Sequence, residues 1–255
     1  MSPDLSRRSL MTGICSTALL PVAVPAATKT AKWTPGAGMP KEGPTTPKLV
    51  APINGREITD QSMRRVKQLG VDHVLMGGPR MPWREEDLRG LVNKLKSGGL
   101  SLGNMMIAGF PNTLYGRPGR DEEIENFKTS IRAAAKVGLP VMEYNFYAHR
   151  AIEGYYEEDG RGGAGLTAFD VDKVKDLPPL PQEGTHTLEE MWANITYFLK
   201  AVVPLAEQSG VRLALHPNDP PVALSRGSGQ IMGTVEGWKH LIEIVDSPAN
   251  GITFD

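Results

Sequence analysis

The 255-residue chain has one cysteine, few aromatic residues (6%) and almost no net charge (-1). Each scarcity excludes something. The cysteine, Cys15, lies in the first two dozen residues, so the remaining chain has neither a disulfide framework nor a cysteine-bound zinc site. The near-neutral charge and dispersed basic residues leave no footprint for nucleic acid and no polybasic patch for a stable membrane anchor. The apolar run Leu10 to Val24 is too short to span a bilayer and is broken by Pro21. No glycine-rich dinucleotide fingerprint follows the first apolar run; Asn54-Gly55-Arg56 is not one.

What remains is globular composition, 40% hydrophobic and 22% charged. Arg7 and Arg8 precede the mild apolar run, and Val24-Pro25-Ala26-Ala27 follows it with small residues suited to cleavage. Residues 1–27 therefore read as a twin-arginine (Tat) signal, removed on export to the periplasm. Residues 28–47, rich in Pro, Gly, Lys and Thr, read as a flexible leader.

From residue 48 onward a pattern repeats. An amphipathic stretch ends at a glycine and a short apolar run follows, at Gly70, Gly99, Gly138, Gly210 and Gly251. Helical spacing runs from Thr59, Arg84, Asp121 and Thr187, the last opening a Thr-x-x-Glu capping box with Glu190, and Pro204 is expected to kink that helix. Together with Pro47 to Ile53, this gives one strand followed by five helix–strand units, hence an α/β fold with a parallel sheet. Two architectures fit: an open doubly wound sheet and a (β/α)₈ TIM barrel. The barrel is the expectation, with about six of its eight strands within this chain (48–255) and the C-terminal part incomplete. Residues 147–186 carry no apolar period and read as a long loop on the strand-end face, a lid or specificity loop.

Ligands of parallel α/β folds sit at the carboxyl ends of strands. That rule selects Glu143, Tyr144 and Asn145 with His149 beyond them, His216 followed by Asn218 and Asp219, and Asp255. An imidazole and a carboxylate from adjacent strand ends suit Mn²⁺, Fe²⁺ or Zn²⁺ better than Ca²⁺ or Mg²⁺. Bland readings stand beside each. His216 could cap a carbonyl, Asn218-Asp219 before two prolines could form a turn, and Glu143 could face the helices. Ser225 to Gly233, glycine-rich with Arg226, could cradle an anion or be a plain loop.

The stretch "LALHPNDPP" followed by "GSGQIMGTVEGWKHLIEIVDSPANGITFD", with "YNF" earlier, resembles mannonate dehydratase within the xylose isomerase-like barrels. The resemblance is dense from Val211 to Asp255 and looser from Leu49 to Phe146. It implies a barrel that binds Mn²⁺ or Fe²⁺ and removes water from a sugar acid, D-mannonate, giving 2-keto-3-deoxy-D-gluconate in hexuronate (glucuronate) breakdown. It implies His216 as a metal ligand. Asp255 stands where the family usually has cysteine, Asn218 where it usually has aspartate, and the last two ligands belong to a seventh and eighth strand. In that setting Asp219, Tyr144 and His149 are the candidate proton carriers, and Asn145, Asn218 and Arg226 the candidate substrate-binding residues, Arg226 for the carboxylate. Two alternatives remain open: an exported sugar isomerase or epimerase on the same barrel, and a non-catalytic carbohydrate-binding fragment. Homo-oligomerisation is also open.

Overall fold

The computed structural model describes Gly43 and residues 46–254. The expected signal, most of the leader and Asp255 lie outside the described residues.

Six strands form one parallel sheet: β1 (Val50–Pro52), β2 (His73–Gly77), β3 (Ser101–Ile107), β4 (Val141–Tyr144), β7 (Arg212–Leu215) and β10 (Asn250–Ile252). Their order across the sheet is their order along the chain, and every neighbouring pair is parallel. A doubly wound sheet reverses direction at a switch point; a sheet that steps always to the next neighbour winds the way a barrel does. The expectation of a barrel-type α/β fold is met.

Between these strands run α1 (Asp60–Gln68), α2 (Glu85–Ser97), α3 (Pro111–Tyr115), α4 (Arg120–Val137), α5 (Leu188–Gln208) and α6 (Val235–Ile244). Local chemistry explains their ends. Thr59 and Thr187 each close a capping box, and Gly138 takes φ 74° to stop α4, a conformation that a Cβ would oppose. Gly251 departs from the punctuation pattern: it lies within β10. α5 continues through Pro204, since burial of Met191, Ile195, Phe198, Leu199, Val202 and Val203 outweighs the proline. Each such side chain stabilises by about 1.5–3 kcal/mol, against roughly 3 kcal/mol for a proline in a helix interior.

The core lies between sheet and helices. Met105, Ile107, Met142, Tyr144, Leu213 and Leu215 point into it from the strands, and Phe110, Phe127 and Phe198 meet them. Because strand neighbours alternate faces, the intervening residues Asn104, Glu143 and Ala214 face the other side of the sheet. The long segment after β4 is not structureless. It contains an antiparallel hairpin, β5 (Tyr155–Asp159) with β6 (Gly165–Phe169), and a two-residue ribbon β8 (Leu224–Ser225) with β9 (Ser228–Gly229) follows after β7. Among the described residues no helix is long and apolar enough to cross a membrane.

Candidate functional site

β4 and β7 are hydrogen-bonded neighbours, with Tyr144 opposite Leu215 and the His216 N–H donating to the Tyr144 carbonyl at 2.9 Å. This register sets the imidazole of His216 beside Glu143. His216 Nε2 stands 3.9 Å from Glu143 Oε1, while Glu143 Oε2 accepts from Asn104 Nδ2 at 2.5 Å. Glu143 is buried, at 6% exposure. Asn104, Glu143 and His216 thus form a polar row across β3, β4 and the end of β7.

The His216 ring has a fixed sense. Its Nδ1 lies 2.8 Å from the Pro217 carbonyl, which can only accept, so Nδ1 carries the hydrogen and Nε2 offers the lone pair in the neutral ring. That is the arrangement of a metal-ligating histidine, whose other nitrogen donates to a backbone carbonyl. The 3.9 Å gap to Glu143 exceeds hydrogen-bond length. Two donors about 2.1 Å from one ion stand roughly 3.0–3.4 Å apart, so a small inward shift of either side chain would bring this pair onto a shared ion. The pair therefore fits part of a site for a divalent metal. No group of three or more His, Cys, Asp or Glu side chains able to hold a metal occurs among the described residues.

A cleft of about 160 Å³ opens at this end of the sheet, lined by Met106, Asn145, Tyr147, Arg150, His216, Pro217 and Asp219. It brings together three expected residues: His216, Asn145 and Asp219. Asp219 is half exposed and tightly held. Arg150 Nη2 donates to its Oδ2 at 2.7 Å, Arg150 Nε donates to its backbone carbonyl at 2.7 Å, and the Tyr155 hydroxyl donates to Oδ1. Burial, then the bond to Asp219, raise the Tyr155 phenol above its ordinary value.

Four expectations are corrected in placement. Tyr144 does not face the mouth. It is fully buried on the helix side, tilted against Phe198 and edge-on to Phe127, and burial alone raises its pKa strongly. Asn218 is a buried clip: Nδ2 donates to Gln230 Oε1 at 2.7 Å and Oδ1 accepts from the Met232 N–H at 2.7 Å, so both ends of its amide are engaged inside the protein. His149 lies in an ionic cluster of the long segment, 3.2 Å from Glu153 through Nε2 and 3.2 Å from Glu183 through Nδ1. Arg226 belongs to the same cluster. Its Nε and Nη2 donate to Glu153 Oε1 and its Nη1 to the Pro178 carbonyl, from a backbone held at φ 45° in the β8–β9 turn.

Burial works to raise the Glu153 pKa. Its own backbone N–H, Arg226 and His149 outweigh that and bring it down to about 2. In placement, Glu143 faces His216 rather than the helices. The alternation of Met142 and Tyr144 about it carried that signal. Arg150, Tyr147 and Tyr155 were not selected from the sequence, because no period marks their segment. Asp255 lies outside the described residues.

The family model described as D-mannonate dehydratase (UxuA) matches residues 52–181 and 183–255. The mannonate dehydratase of Streptococcus equi subsp. zooepidemicus is 34% identical over 198 residues, covering 67% of this chain and 54% of its own length. That of Thermotoga maritima is 30% identical over 244 residues, covering 81% of this chain and 68% of its own. This chain therefore spans about half the length of the streptococcal relative. The crystal structure of mannonate dehydratase from Streptococcus suis serotype 2 superposes with a TM-score of 0.72 at 28% identity, over 81% of this chain and 63% of that one. A D-psicose 3-epimerase from Clostridium cellulolyticum, at 13% identity and a TM-score of 0.51 over 79% of this chain and 61% of its own, shares the fold alone. The sheet order, the strand-end histidine and these matches agree: the chain belongs to the D-mannonate dehydratase (UxuA) family.

Proposed function

We propose that this protein is a metal-dependent hydro-lyase that removes water from a sugar acid, D-mannonate being the substrate, to give 2-keto-3-deoxy-D-gluconate in hexuronate catabolism. The observation that carries the reading is His216, with Glu143 behind it, lining one cleft together with Asp219: a nitrogen donor backed by a carboxylate, next to a second carboxylate able to move a proton.

The reaction takes a proton from C2, next to the carboxylate, and expels hydroxide from C3 with a proton from a general acid. The enol so formed becomes the 2-keto acid. Negative charge builds on the acid end as the C2–H bond breaks, so catalysis needs fixed positive charge there and a placed proton carrier. Of Asp219, Tyr144 and His149, only Asp219 lines the cleft, so proton transfer falls to its carboxylate. Arg150 and Tyr155 orient that carboxylate through bonds to both of its oxygens. Asn145, whose Nδ2 lies 3.6 Å from Met106 Sδ, presents an amide to substrate hydroxyls. His216 and Asp255 would hold Mn²⁺ or Fe²⁺, with Glu143 beside His216. The bound cation would supply Lewis-acid stabilisation of the developing charge.

The test incubates the full chain with Mn²⁺ and D-mannonate and follows the 2-keto-3-deoxy acid, with bound metal measured in parallel. Product is expected from the wild type, and His216→Ala is expected to lose both metal and turnover. Absence of product from a metal-loaded wild type, or unchanged metal content in His216→Ala, overturns the proposal.

A further inference from the structure

A sugar acid brings a carboxylate, and a cleft that takes one needs a cation to meet it. The sequence points to Arg226 and the cleft presents Arg150, and the structure separates the two. Arg226 is committed at all three nitrogens, to Glu153 and to the Pro178 carbonyl, and its side chain is only 15% exposed. Its charge serves to tie the β8–β9 turn to the long segment. Arg150 differs on each count. Among the described residues it is the only arginine or lysine lining the cleft, its side chain is 44% exposed, and it shares that lining with His216. Its Nε and Nη2 hold Asp219, which leaves Nη1 as the nitrogen not committed to that residue.

We propose that Arg150 is the carboxylate-binding residue of this cleft, its Nε–Nη2 edge anchoring Asp219 while Nη1 takes the acid group of the ligand. A guanidinium suits the double task because it is planar and offers donors along two edges, whereas an ammonium is a single point. The arrangement has a chemical consequence. One rigid group fixes the ligand's carboxylate and the proton-carrying Asp219 in relation to each other, and the carbon next to the carboxylate is the one that loses its proton. Tyr155, whose ring lies 5.6 Å from the Arg150 guanidinium carbon and whose hydroxyl donates to Asp219, steadies the same assembly from β5.

The inference rests on the sugar-acid reading, so the test reads binding separately from turnover. D-Mannonate affinity is measured by calorimetry on the full chain as wild type, Arg150→Met, Arg150→Lys and Arg150→Ala, with thermal unfolding run on each. Arg150→Met is expected to weaken binding about 30-fold, in line with loss of a charge-assisted hydrogen bond. Arg150→Lys is expected to fall between, since lysine keeps the charge but cannot span both partners. Added guanidinium ion is expected to restore affinity to Arg150→Ala, a rescue that a purely structural role would not show. If Arg150→Met does not fold, the lysine variant decides: wild-type affinity there overturns the inference. So does Arg150→Met binding within about threefold of wild type, or a guanidinium-insensitive Arg150→Ala. Wild type that binds D-mannonate through Arg150 without releasing water sinks the dehydratase reading and leaves this one standing. Turnover with Arg150→Met affinity unchanged does the reverse, and a wild type that binds no D-mannonate sinks both.

Discussion

Asn218→Ala tests whether this side chain serves the ligand or the fold. The native amide is 6% exposed and uses both ends internally, receiving the Met232 N–H and donating to Gln230 Oε1, each at 2.7 Å. Alanine leaves a buried N–H and a buried amide oxygen without these partners. Met232 is 1% exposed and Gln230 8%, so water reaches neither easily. Each orphaned group costs about 1–3 kcal/mol, and taking roughly 1.5 for each gives a loss of about 3 kcal/mol. For a chain of this size each kcal/mol moves Tm by about 2–4 °C, so calorimetric or circular-dichroism melting is expected to drop by about 6–12 °C. Asn218→Asp is milder. One oxygen still receives the Met232 N–H, while the other meets Gln230 Oε1 and forces that amide to turn. Turning it gives up the Gln230 Nε2 bond to the His149 carbonyl (3.2 Å), a loss of about 1 kcal/mol. A melting temperature within about 2 °C of wild type for Asn218→Ala, together with a raised KM, would refute this reasoning and return Asn218 to the substrate.

Two other perturbations follow from the same geometry. Tyr144→Phe removes a buried hydroxyl that has no hydrogen-bond partner among the described residues, so stability is expected to hold or to rise by about 1 kcal/mol with kcat unchanged; lost turnover would put the hydroxyl back in the chemistry. Glu153 has its pKa lowered from 4.5 to about 2, so its contribution is complete above about 4.5 and disappears as pH falls toward 2. With the side chain 32% exposed, solvent screening limits that contribution to about 1 kcal/mol. The Tm gap between wild type and Glu153→Gln is expected to close over that acid range, and a gap independent of pH would contradict the assignment.

The scaffold was legible because its signals are local. Helical spacing, two threonine caps and a left-handed glycine after α4 each act within a few residues of where they are read. His216 was legible for a related reason: a strand-end position follows from the strand itself. The hairpin β5–β6 was not, because most of its residues are exposed and nothing forces apolar and polar side chains to alternate. Arg150 and Arg226 look alike in a linear reading. What separates them is Glu153 and Pro178 on one side and Asp219 on the other, partners 48 to 73 positions away. Tyr144 and Glu143 could have been sorted by parity, since Met142 and Tyr144 share the apolar face of β4.

The segment between β4 and α5 is moored at several points, among them the hold of its Arg150 and Tyr155 on Asp219. Arg117 donates to the Gln182 and Glu183 carbonyls, Arg226 grips Glu153 and Pro178, and Gln230 reaches the His149 carbonyl. Those fastenings are polar and partly ionic, whereas the sheet and helices are joined mainly through hydrocarbon. Ionic strength therefore acts on the two in opposite senses: added salt screens the moorings, and a strongly hydrated salt such as sulfate tightens the apolar interior. The long segment and the body of sheet and helices answer to separate controls, so solvent alone can slacken one without melting the other.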